Sequence, residues 1–573
     1  MIDSNNDIRY FVTSWKVVTL YGRGTMSRKL IAIATALVTA LALALAGCGG
    51  SGAASSSSAG SSAGGASAAG DASQVVVSLS TESEPEAGFN PIINWGSGEH
   101  MHEPLIQSTL ITTDANLDFH NDLATSYEMS ADGLQWTFKI RDDVKFTDGE
   151  PLTAKDVAFT INKIVSEPNA ETDLSMVDSA EATDSTTVVI KLNKPYNALL
   201  YILAVVGIVP EHAYTDAYGT TPENTIGSGR YMLEQWDRGQ QAIFKANPDY
   251  YGEAPKMERV VVLFMEEDAS LAAANSGDVD LAFTTATLAA SAPNGYDVLA
   301  CKSVDSRGLA LPVVPAGEAT NEDGDTVKVG NDVTCNLEIR QAINKAVDRE
   351  AFIKNVLNGY GTVAYSVGTD MPWYNDAMEV EYDPAAAEKL LTDAGWARGD
   401  DGIYAKDGQR ASIDVIYSTT DSVRQAIALE FANQMKQVGI EINTIGMTMN
   451  EAMEYGYSTP VVWGFGSNAP MEIESLYASD GSFNVADYSN KTVDAYIDEA
   501  LSAPTVDESF AYWKNAQWDG TTGFAPQGDA PWVWIANVDH LFFQKDGLNV
   551  AEQKPQPHGH GWSVLNNVDQ WSW

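Results

Sequence analysis

Strand-like and helix-like hydrophobic patterns alternate from about residue 75 to the end of the chain, and this alternation constrains the fold more than any other feature. Trp136, Phe138 and Ile140 are apolar at every second position, which is typical of a half-buried strand. Apolar residues three and four positions apart predict longer helices at residues 338–357, 384–394 and 422–438. Because strands and helices interleave, the sequence predicts an α/β fold rather than an all-α fold.

Capping signals set the expected ends of several helices. Thr153, followed three positions later by Asp156, resembles a helix N-cap with its acidic partner, so a helix is expected from residue 154 to about residue 165. Gly395 and Gly439 stand where two of the longer helices should stop, a position at which glycine is common.

An export signal precedes the part of the chain that is expected to fold. The basic residues Arg28 and Lys29 come before an apolar run from Leu30 to Ala46, and the tetrad ending in Cys48 resembles a bacterial lipobox. In that motif the cysteine thiol takes diacylglycerol, so residues 26–47 are predicted to be the signal peptide and Cys48 the lipidated first residue. An uncleaved transmembrane anchor of similar length is the alternative.

The segments on either side of this signal are not expected to contribute to a core. Residues 1–25 lack any export pattern and are interpreted as a mis-called extension, with Met26 as the true initiator. Residues 48–74 contain little but Gly, Ser and Ala after the cysteine, which is typical of a flexible tether. A tether of that length would reach about 25–30 Å and hold the folded part away from the bilayer.

The chain is strongly acidic, with a formal net charge of −44 at pH 7. Such a surface repels phosphates and anionic lipids, so nucleic acid is excluded as a partner. The many acidic side chains are interpreted as groups that keep the surface of an exported protein solvated. A second interpretation is that they enrich cationic solutes near the surface.

An enzyme would need a nucleophile, an acid–base pair or a metal site. His102 and Glu103 begin like a zinc-protease helix motif, but no second histidine follows four residues after the first. The sequence also contains no P-loop and no Rossmann fingerprint. We therefore expect neither catalysis nor a cofactor.

Five motifs in a fixed order carry a family resemblance. They are the stretch from Asp122 to Val157, Ile226-Gly-Ser-Gly-Arg-Tyr231, Asn247-Pro-Asp-Tyr-Tyr-Gly252, the stretch from Ile339 to Arg349, and the stretch from Tyr382 to Trp396. In this order they resemble the peptide/nickel family, family 5, of bacterial ABC-transporter solute-binding proteins. None of the motifs offers chemistry, so they identify the fold and leave the ligand open.

The resemblance implies a two-lobed α/β architecture, the periplasmic-binding-protein type II fold, with hinge strands between the lobes and a ligand cleft between them. Lobe one is expected at residues 75–308 with a return segment at 525–573, and lobe two at residues 309–524. The chain is expected to cross between lobes near residues 307–312 and 523–531.

The resemblance also implies a location and partners. The protein is expected outside the cytoplasmic membrane, anchored to its outer face through lipidated Cys48. As a monomer, it would capture a peptide or similar small solute and deliver it to the permease and ATPase of an ABC importer. Hinge closure around the ligand would signal occupancy.

A segment of lobe two is expected to contact the ligand. In peptide-binding members a tryptophan, an aspartate three residues later and a proline four beyond it recur, and the aspartate pairs with the peptide ammonium. Here the spacing survives as Trp463, Gly466 and Pro470, with glycine in place of the acid. Either Glu472, Glu474 or another acid substitutes, or the ligand carries no free amine there. The ligand-binding residues predicted on this basis are Trp95, Trp463, Phe465, Gly466, Ser467 and Asn468.

Two histidine pairs support an alternative ligand, a nickel or other metal chelate. His100 with His102, and His558 with His560, are two positions apart, so each pair would face one side of a strand and could share a metal ion. Surface histidines and a backbone constraint at the neighbouring glycines explain the second pair equally well. The sequence does not decide between the two ligands, and peptides are favoured because the larger share of the family binds them.

Cys301 and Cys335 remain once Cys48 is assigned to lipid. An even pair in an exported protein predicts a disulfide bridge, and two buried thiols are the alternative.

Overall fold

A computed structural model of the chain describes residues 72–93, 96–97, 100–320, 326–559 and 561–573. The predicted signal peptide, Cys48 and all but the last residues of the tether lie outside these ranges. Among the helices that the structure describes, none combines the length and the hydrophobicity needed to cross a bilayer.

The strands are numbered in chain order. They are β1 Gln74–Ser80, β2 Gly96–Ser97, β3 His100–Met101, β4 Ile111–Thr113, β5 Phe119–Asn121, β6 Ala124–Met129, β7 Gln135–Ile140, β8 Val177–Asp184, β9 Thr187–Leu192, β10 Tyr231–Asp237, β11 Gln241–Ala246, β12 Arg259–Met265, β13 Leu281–Thr284, β14 Tyr296–Cys301, β15 Ser306–Ala310, β16 Gly317–Thr320, β17 Thr326–Val329, β18 Gly361–Val363, β19 Ala397–Arg398, β20 Tyr404–Lys406, β21 Gln409–Arg410, β22 Ser412–Ser418, β23 Glu441–Met447, β24 Val462–Phe465, β25 Trp532–Val538 and β26 His540–Lys545.

The helices are numbered in the same way. They are α1 Ala154–Ser166, α2 Leu199–Leu203, α3 Glu267–Ser276, α4 Leu337–Ala346, α5 Arg349–Asn355, α6 Pro384–Asp393, α7 Ser422–Gln437, α8 Met449–Met453, α9 Met471–Tyr477, α10 Lys491–Leu501 and α11 Val506–Gln517. Short 3-10 turns lie at Thr81–Ser83, Pro222–Asn224, Ala289–Ser291, Asp376–Met378 and Trp562–Gln570.

A seven-stranded sheet forms the centre of the first lobe, in the order β10-β11-β12-β1-β13-β26-β14. Strand β1 runs parallel to β12 and β13, and its apolar side chains Val75, Val77 and Leu79 are fully buried. Strand β26 comes from the C-terminal part of the chain and pairs with both β13 and β14. The C-terminal segment is therefore an integral part of this lobe.

A second sheet, β6-β7-β9-β8, packs against helix α1. The alternating residues Trp136, Phe138 and Ile140 on β7 are buried, as the sequence predicts. Thr153 and Asp156 form a complete capping box at the start of α1. The Thr153 side chain accepts a hydrogen bond from the backbone of the first helical turn, and the Asp156 carboxylate accepts one from the Thr153 N–H. The predicted helix is confirmed, with its end one residue later than expected.

The second lobe contains the parallel pair β22 and β23 and most of the longer helices. The helix predicted at residues 338–357 is wrong in one respect, because it is two helices, α4 and α5. Val347 between them has extended backbone, Asp348 also lies outside the helical region, and the Asp348 carboxylate caps α5 by accepting from the Ala351 N–H at 3.0 Å. Helices α6 and α7 lie where predicted and stop just before Gly395 and Gly439.

A four-stranded sheet joins the two lobes, and we call it the hinge sheet. Its order is β18-β25-β15-β24, and β15 pairs antiparallel with both β24 and β25. Strand β15 begins at Ser306, within one residue of the expected first crossover, and β25 begins at Trp532, one residue past the expected return interval. The lobe boundaries at 308/309 and 524/525 stay predictions.

The predicted bridge between Cys301 and Cys335 is wrong, because both thiols are free. Cys301 ends β14 in the seven-stranded sheet, whereas Cys335 precedes α4 in the second lobe. The expected lobe boundary at 308/309 already separates the two residues, and the even cysteine count on which the bridge was predicted took no account of that separation. Burial raises the pKa of the Cys301 thiol to about 12, so this thiol stays protonated at neutral pH.

Candidate functional site

The hinge sheet presents one aromatic face, which its strand register creates. Gly308 on β15 lies opposite Trp463 on β24 and opposite Trp534 on β25. A side chain at position 308 would collide with Trp534, since a Cβ there would lie 2.6 Å from the indole. Because side chains alternate along a strand, Phe465 and Trp532 lie on this face as well. We call Trp463, Phe465, Trp532 and Trp534 the aromatic face.

The rings of the aromatic face contact one another directly. Trp532 and Trp534 stack with centroids 4.7 Å apart, and Phe465 meets Trp532 edge-on at 5.9 Å. Phe483, which follows α9, contacts Trp463 at 5.2 Å and Phe465 at 4.9 Å. The four residues of the face are each at most 4% exposed, so the site is closed rather than an open pocket.

The hinge sheet faces a different environment on each side. Its aromatic face lies in one continuous hydrophobic cluster with first-lobe side chains such as Leu203 and Ile208. Its opposite face, which includes Leu309 and Val533, packs in the core of the second lobe. A solute held against the aromatic face would therefore be enclosed between the two lobes.

Two indole N–H groups of the aromatic face have no acceptor among the described residues. They belong to Trp463 and Trp532, whereas Trp534 donates to the Tyr477 hydroxyl at 2.8 Å. A buried donor without a partner costs about 1–3 kcal/mol, and a ligand oxygen would remove that cost. The indole N–H groups of Trp136 and Trp513, which are not part of the hinge sheet, are also buried without an acceptor. The unpaired donors therefore support the aromatic face as a site, and its position between the lobes is the main reason for choosing it.

The sequence alone does not single out Trp532 and Trp534 as site residues. Their spacing of two positions is a strand signal that could have placed them on one face. The pairing of β25 with β15, which brings them beside Trp463, joins segments more than 200 residues apart and leaves no local trace.

Most polar side-chain atoms in the segment after β24 already have hydrogen-bond partners within the protein. Ser467 Oγ accepts from the Ala469 N–H at 3.3 Å and donates to the Ala469 carbonyl at 3.0 Å, so this hydroxyl is occupied within its own turn. Asn468 Nδ2 donates to the Pro555 carbonyl at 2.8 Å, and its Oδ1 is buried without a described partner. Of the two predicted polar ligand contacts, only Asn468 has a free acceptor. Trp95, the remaining predicted aromatic wall, lies outside the described residues.

Gly466 has no room for a side chain. Its φ is +142°, and a Cβ would lie 1.8 Å from the Val304 carbonyl oxygen. Its own carbonyl accepts from the His558 N–H at 2.7 Å. The missing acid at this position therefore has a steric cause, and Gly466 can offer a ligand only backbone atoms.

A buried network of charged groups lies at the start of β15. The Asp305 carboxylate contacts the Arg307 guanidinium and accepts from His558 Nδ1 at 2.7 Å and His540 Nε2 at 3.0 Å. Burial by itself would raise the pKa of Asp305, but Arg307 and the two histidines outweigh it and hold the pKa well below its usual range. Asp305 is therefore ionised, and its hydrogen bonds with His540 and His558 connect the start of β15 to the C-terminal segment.

A second arginine extends this network onto α7. Arg424 donates to the Val462 carbonyl at 3.0 Å and to Asp421 Oδ2 at 3.0 Å. Gly464 lies between the two guanidinium groups, since a Cβ there would be 2.4 Å from Arg307 Nη1 and 2.9 Å from Arg424 Nη2. The paired acids balance the two arginines, so the network is structural.

Polar contacts join the two lobes at the start of α7. Thr420 Oγ1 donates to Glu82 Oε1 at 2.8 Å, and Ser422 Oγ donates to Glu267 Oε2 at 3.0 Å. Glu82 and Glu267 belong to the first lobe, whereas Thr420 and Ser422 precede or begin α7. These contacts exist only when the lobes are together.

A second set of interlobe contacts lies beside α9 and α10. Asn197 Nδ2 donates to the Ala500 carbonyl at 2.9 Å, and the Tyr196 hydroxyl donates to Glu474 Oε2 at 3.2 Å. Burial raises the pKa of Glu474 to about 7, against the lowering effect of Lys194. The Glu474 carboxyl is therefore used in the hydrogen bond with Tyr196 between the lobes, and it is not part of the aromatic face.

The histidines proposed as metal ligands are only partly within the described residues. His102 is buried and packs against Gly559, whose Cβ would lie 2.3 Å from the imidazole, and His558 bonds to Asp305. The side chain of His100 and the whole of His560 lie outside the described residues. Among the side chains that are described, no group of three or more His, Cys, Asp and Glu is placed to hold a metal ion.

Known proteins resemble this chain in sequence and in fold. The family model "Bacterial extracellular solute-binding proteins, family 5 Middle" matches residues 118–519. Protein XP55 of Streptomyces lividans is 32% identical over 496 residues, covering 83% of this chain and 85% of that protein. The oligopeptide-binding protein AppA of Bacillus subtilis is 29% identical over 441 residues, covering 72% of this chain and 78% of that protein. The solved structure of NikZ from Campylobacter jejuni in complex with Ni(L-His) matches with a TM-score of 0.73 at 25% identity, covering 88% of this chain and 100% of that one.

Proposed function

This chain belongs to the family 5 bacterial extracellular solute-binding proteins, and on that premise we propose that it captures a small solute between its two lobes and delivers it to an ABC importer. The observation that carries the proposal is the aromatic face of the hinge sheet, which is buried and bounded by both lobes. Hinge closure that encloses a ligand is a common way to report occupancy to a partner. The role needs binding without turnover, so we propose that the protein is not an enzyme.

Peptides are the ligands that we propose first. The aromatic face carries indole donors at Trp463 and Trp532, and Asn468 adds an acceptor beside it. Neutral donors and acceptors on an aromatic wall suit the amide groups and side chains of a peptide. The relative AppA is named for oligopeptide binding, which supports this class. With no room for an acid at Gly466, recognition at this segment would not depend on a free ammonium group.

A nickel chelate is the second candidate. The solved relative NikZ is described in complex with Ni(L-His), and in the present chain the buried His102 packs against Gly559, the residue that follows the buried His558. A nickel–histidine complex brings its own ligands to the metal, so it would need few from the protein. The histidines would then complete or orient the complex.

The substitution Trp463→Phe is expected to weaken peptide binding at least about fivefold, equivalent to about 1 kcal/mol, because it removes an N–H donor and part of the stacking surface. A peptide and its N-acetylated form are expected to bind alike. Calorimetric titration of the full-length chain in mild detergent with both peptides would measure the two effects.

The matched control is Trp136→Phe, which removes an equally buried and unpaired indole N–H away from the hinge sheet. This variant should bind as the unmodified protein does. Loss of binding on N-acetylation would show an ammonium anchor elsewhere. If only nickel with L-histidine binds, and His558→Ala weakens it, the peptide proposal gives way to the nickel one.

We also propose that the protein is held at the outer face of the cytoplasmic membrane through a lipid on Cys48. The support is the lipobox and the tether in the sequence. Cys48→Ser is expected to leave the precursor unprocessed and without lipid, which labelled palmitate and mass spectrometry of the N-terminal peptide would detect. A Cys48→Ser chain that is still lipid-modified would contradict the assignment.

A further inference from the structure

One short stretch of the first lobe, residues 194–197, makes polar contacts with the second lobe, and we call it the lobe corner. It follows β9 and precedes α2. Tyr196 and Asn197 are only 4% and 3% exposed, although each carries a polar side-chain group. Buried polar groups need partners, and those of the lobe corner are supplied by the second lobe.

Asn197 caps the C-terminal end of α10 from the opposite lobe. Its Nδ2 donates to the Ala500 carbonyl at 2.9 Å and to the Ala503 carbonyl at 3.0 Å. Its backbone N–H donates to the Leu501 carbonyl at 2.9 Å. The last carbonyls of a helix lack partners within the helix, so they have to be satisfied from outside. One first-lobe residue therefore makes three hydrogen bonds to the end of α10, and opening of the lobes would break all three.

Apolar side chains surround these hydrogen bonds. Leu199 of the first lobe and Ile497 and Leu501 of α10 are buried in the same hydrophobic cluster. Opening at the lobe corner would therefore break hydrogen bonds and expose apolar surface together. Both effects favour the closed arrangement of the lobes.

The other polar contact of the lobe corner involves a titratable group of the second lobe. The Tyr196 hydroxyl donates to Glu474 Oε2 at 3.2 Å, and Lys194 Nζ lies 4.0 Å from Glu474 Oε1. Two further carboxylates face Glu474, Asp173 from the first lobe and Asp480 just after α9. Burial, supported by these two aspartates, raises the pKa of Glu474 to about 7, and Lys194 and the Tyr196 hydroxyl offset this only in part.

We propose that the lobe corner is a latch that holds the lobes closed and governs release of the captured solute, and that Glu474 makes this latch weaker as the pH rises. The inference rests on the proposed function, because it needs lobes that open and close around a solute. Tyr196, Asn197 and Glu474 are not part of the aromatic face. They act on release through lobe closure rather than through contact with the solute.

The direction of the pH effect follows from the two states of Glu474. When the lobes separate, its carboxyl returns to water and to its ordinary pKa of 4.5. The neutral carboxyl favours closure fully below about pH 4.5, and this contribution is lost as the pH rises through about 7. The Glu474 side chain is 27% exposed with the lobes closed, so water reduces the effect below what the two pKa values alone would give.

Hydrogen–deuterium exchange of the full-length chain in mild detergent tests the latch without any solute. Asn197→Ala is expected to speed exchange of residues 199–203 and 491–503 at least about fivefold at neutral pH, because two buried hydrogen bonds are lost. Asn197→Asp keeps the size of the side chain, loses both donors and should act in the same direction. The matched control is Asn247→Ala. Asn247 is 4% exposed and donates to the Gly229 carbonyl at 2.9 Å within the first lobe, so its loss should leave exchange of both segments within about twofold.

Glu474→Gln tests the pH dependence, because the amide resembles the neutral carboxyl and does not titrate. The exchange rate of the unmodified protein is divided by that of the variant at the same pH, which cancels the intrinsic pH dependence of exchange. This ratio is expected to be at least about fivefold larger at pH 8.5 than at pH 5.5. The control is Asp487→Asn. Burial raises the pKa of Asp487 to about 6, and its backbone neighbour Gly330 belongs to the same lobe, so the corresponding ratio should not change with pH.

Stopped-flow release of a fluorescent peptide adds the functional measurement. Asn197→Ala should speed release at least about fivefold, and Asn247→Ala should not. If no peptide binds, the peptide proposal fails, and the exchange results still decide the latch. The inference is overturned if Asn197→Ala, shown to be folded by thermal unfolding, exchanges both segments as the unmodified protein does or releases a bound peptide at an unchanged rate. Equal effects of Asn197→Ala and Asn247→Ala, or a Glu474→Gln ratio that is the same at both pH values, would also overturn it.

Discussion

Asp305→Ala is expected to lower the free energy of unfolding by about 3–5 kcal/mol, because it leaves a buried guanidinium without its counter-ion. The Asp305 and Arg307 side chains are 3% and 8% exposed, so water cannot replace the lost carboxylate. The substitution also removes the acceptor for His558 and His540, which tie β15 to the C-terminal segment. Chemical denaturation at neutral pH would measure the loss.

The effect of Asp305 has a defined pH window. Its pKa in the folded protein lies below the ordinary value, so its contribution is fully present above the unfolded pKa of about 3.9. As the pH falls through the folded pKa, the carboxylate protonates and the contribution is lost. The difference in unfolding free energy between the unmodified protein and Asp305→Ala should therefore stay constant near neutrality and shrink below about pH 4.

Asp401→Ala is the control for Asp305→Ala. Asp401 contacts Arg410 in the same Asp–Arg pairing, but both side chains are largely exposed. Its loss is expected to cost less than about 1 kcal/mol. Equal costs for the two substitutions would contradict a stabilising role for the buried charged network at the start of β15.

Gly466→Asp is expected to destabilise the protein by about 3 kcal/mol or more, and not to create an ammonium site. The new Cβ would lie 1.8 Å from the Val304 carbonyl oxygen, so the backbone just before β15 would have to move away from the backbone just after β24. The backbone at φ +142° is also one that residues with a side chain rarely adopt. Thermal unfolding would measure the stability, and titration with free and N-acetylated peptide would show whether any preference for the amine appears.

The comparison of Gly466→Ala with Gly239→Ala isolates the steric part of this effect. Gly239 also has a positive φ, of +73°, but a Cβ there meets nothing within 4 Å. Gly239→Ala is expected to cost about 1–2 kcal/mol from backbone conformation alone. A stable Gly466→Asp protein with a new preference for free amines would show that the position can host the acid after all.

Local sequence signals were sufficient for the α/β class and for several of the elements. The Thr153 and Asp156 capping box, the buried alternation on β7 and the glycine stops after α6 and α7 all involve residues a few positions apart. The two-lobed α/β type II fold came from the family resemblance and is confirmed by the family match and the solved relatives.

The helix break at Val347 and Asp348 shows where local signals stop. The apolar spacing continues through these residues, so the sequence predicts one helix. In the structure the Asp348 N–H donates to Gln434 Oε1 on α7 at 2.8 Å, and its carboxylate caps α5. The partner on α7 is 86 residues away, so this contact at the helix break is tertiary and has no signal in the local sequence.

The sequence by itself determined that this chain has an α/β body, because that feature depends on the periodicity of its hydrophobic residues. Only the tertiary structure decided that Trp463, Trp532 and Trp534 share one face. It also decided that Gly466 is excluded from carrying an acid by the carbonyl of Val304. Each of these depends on the register between strands far apart in the chain, and such pairings are set by packing of the whole fold rather than by any local pattern.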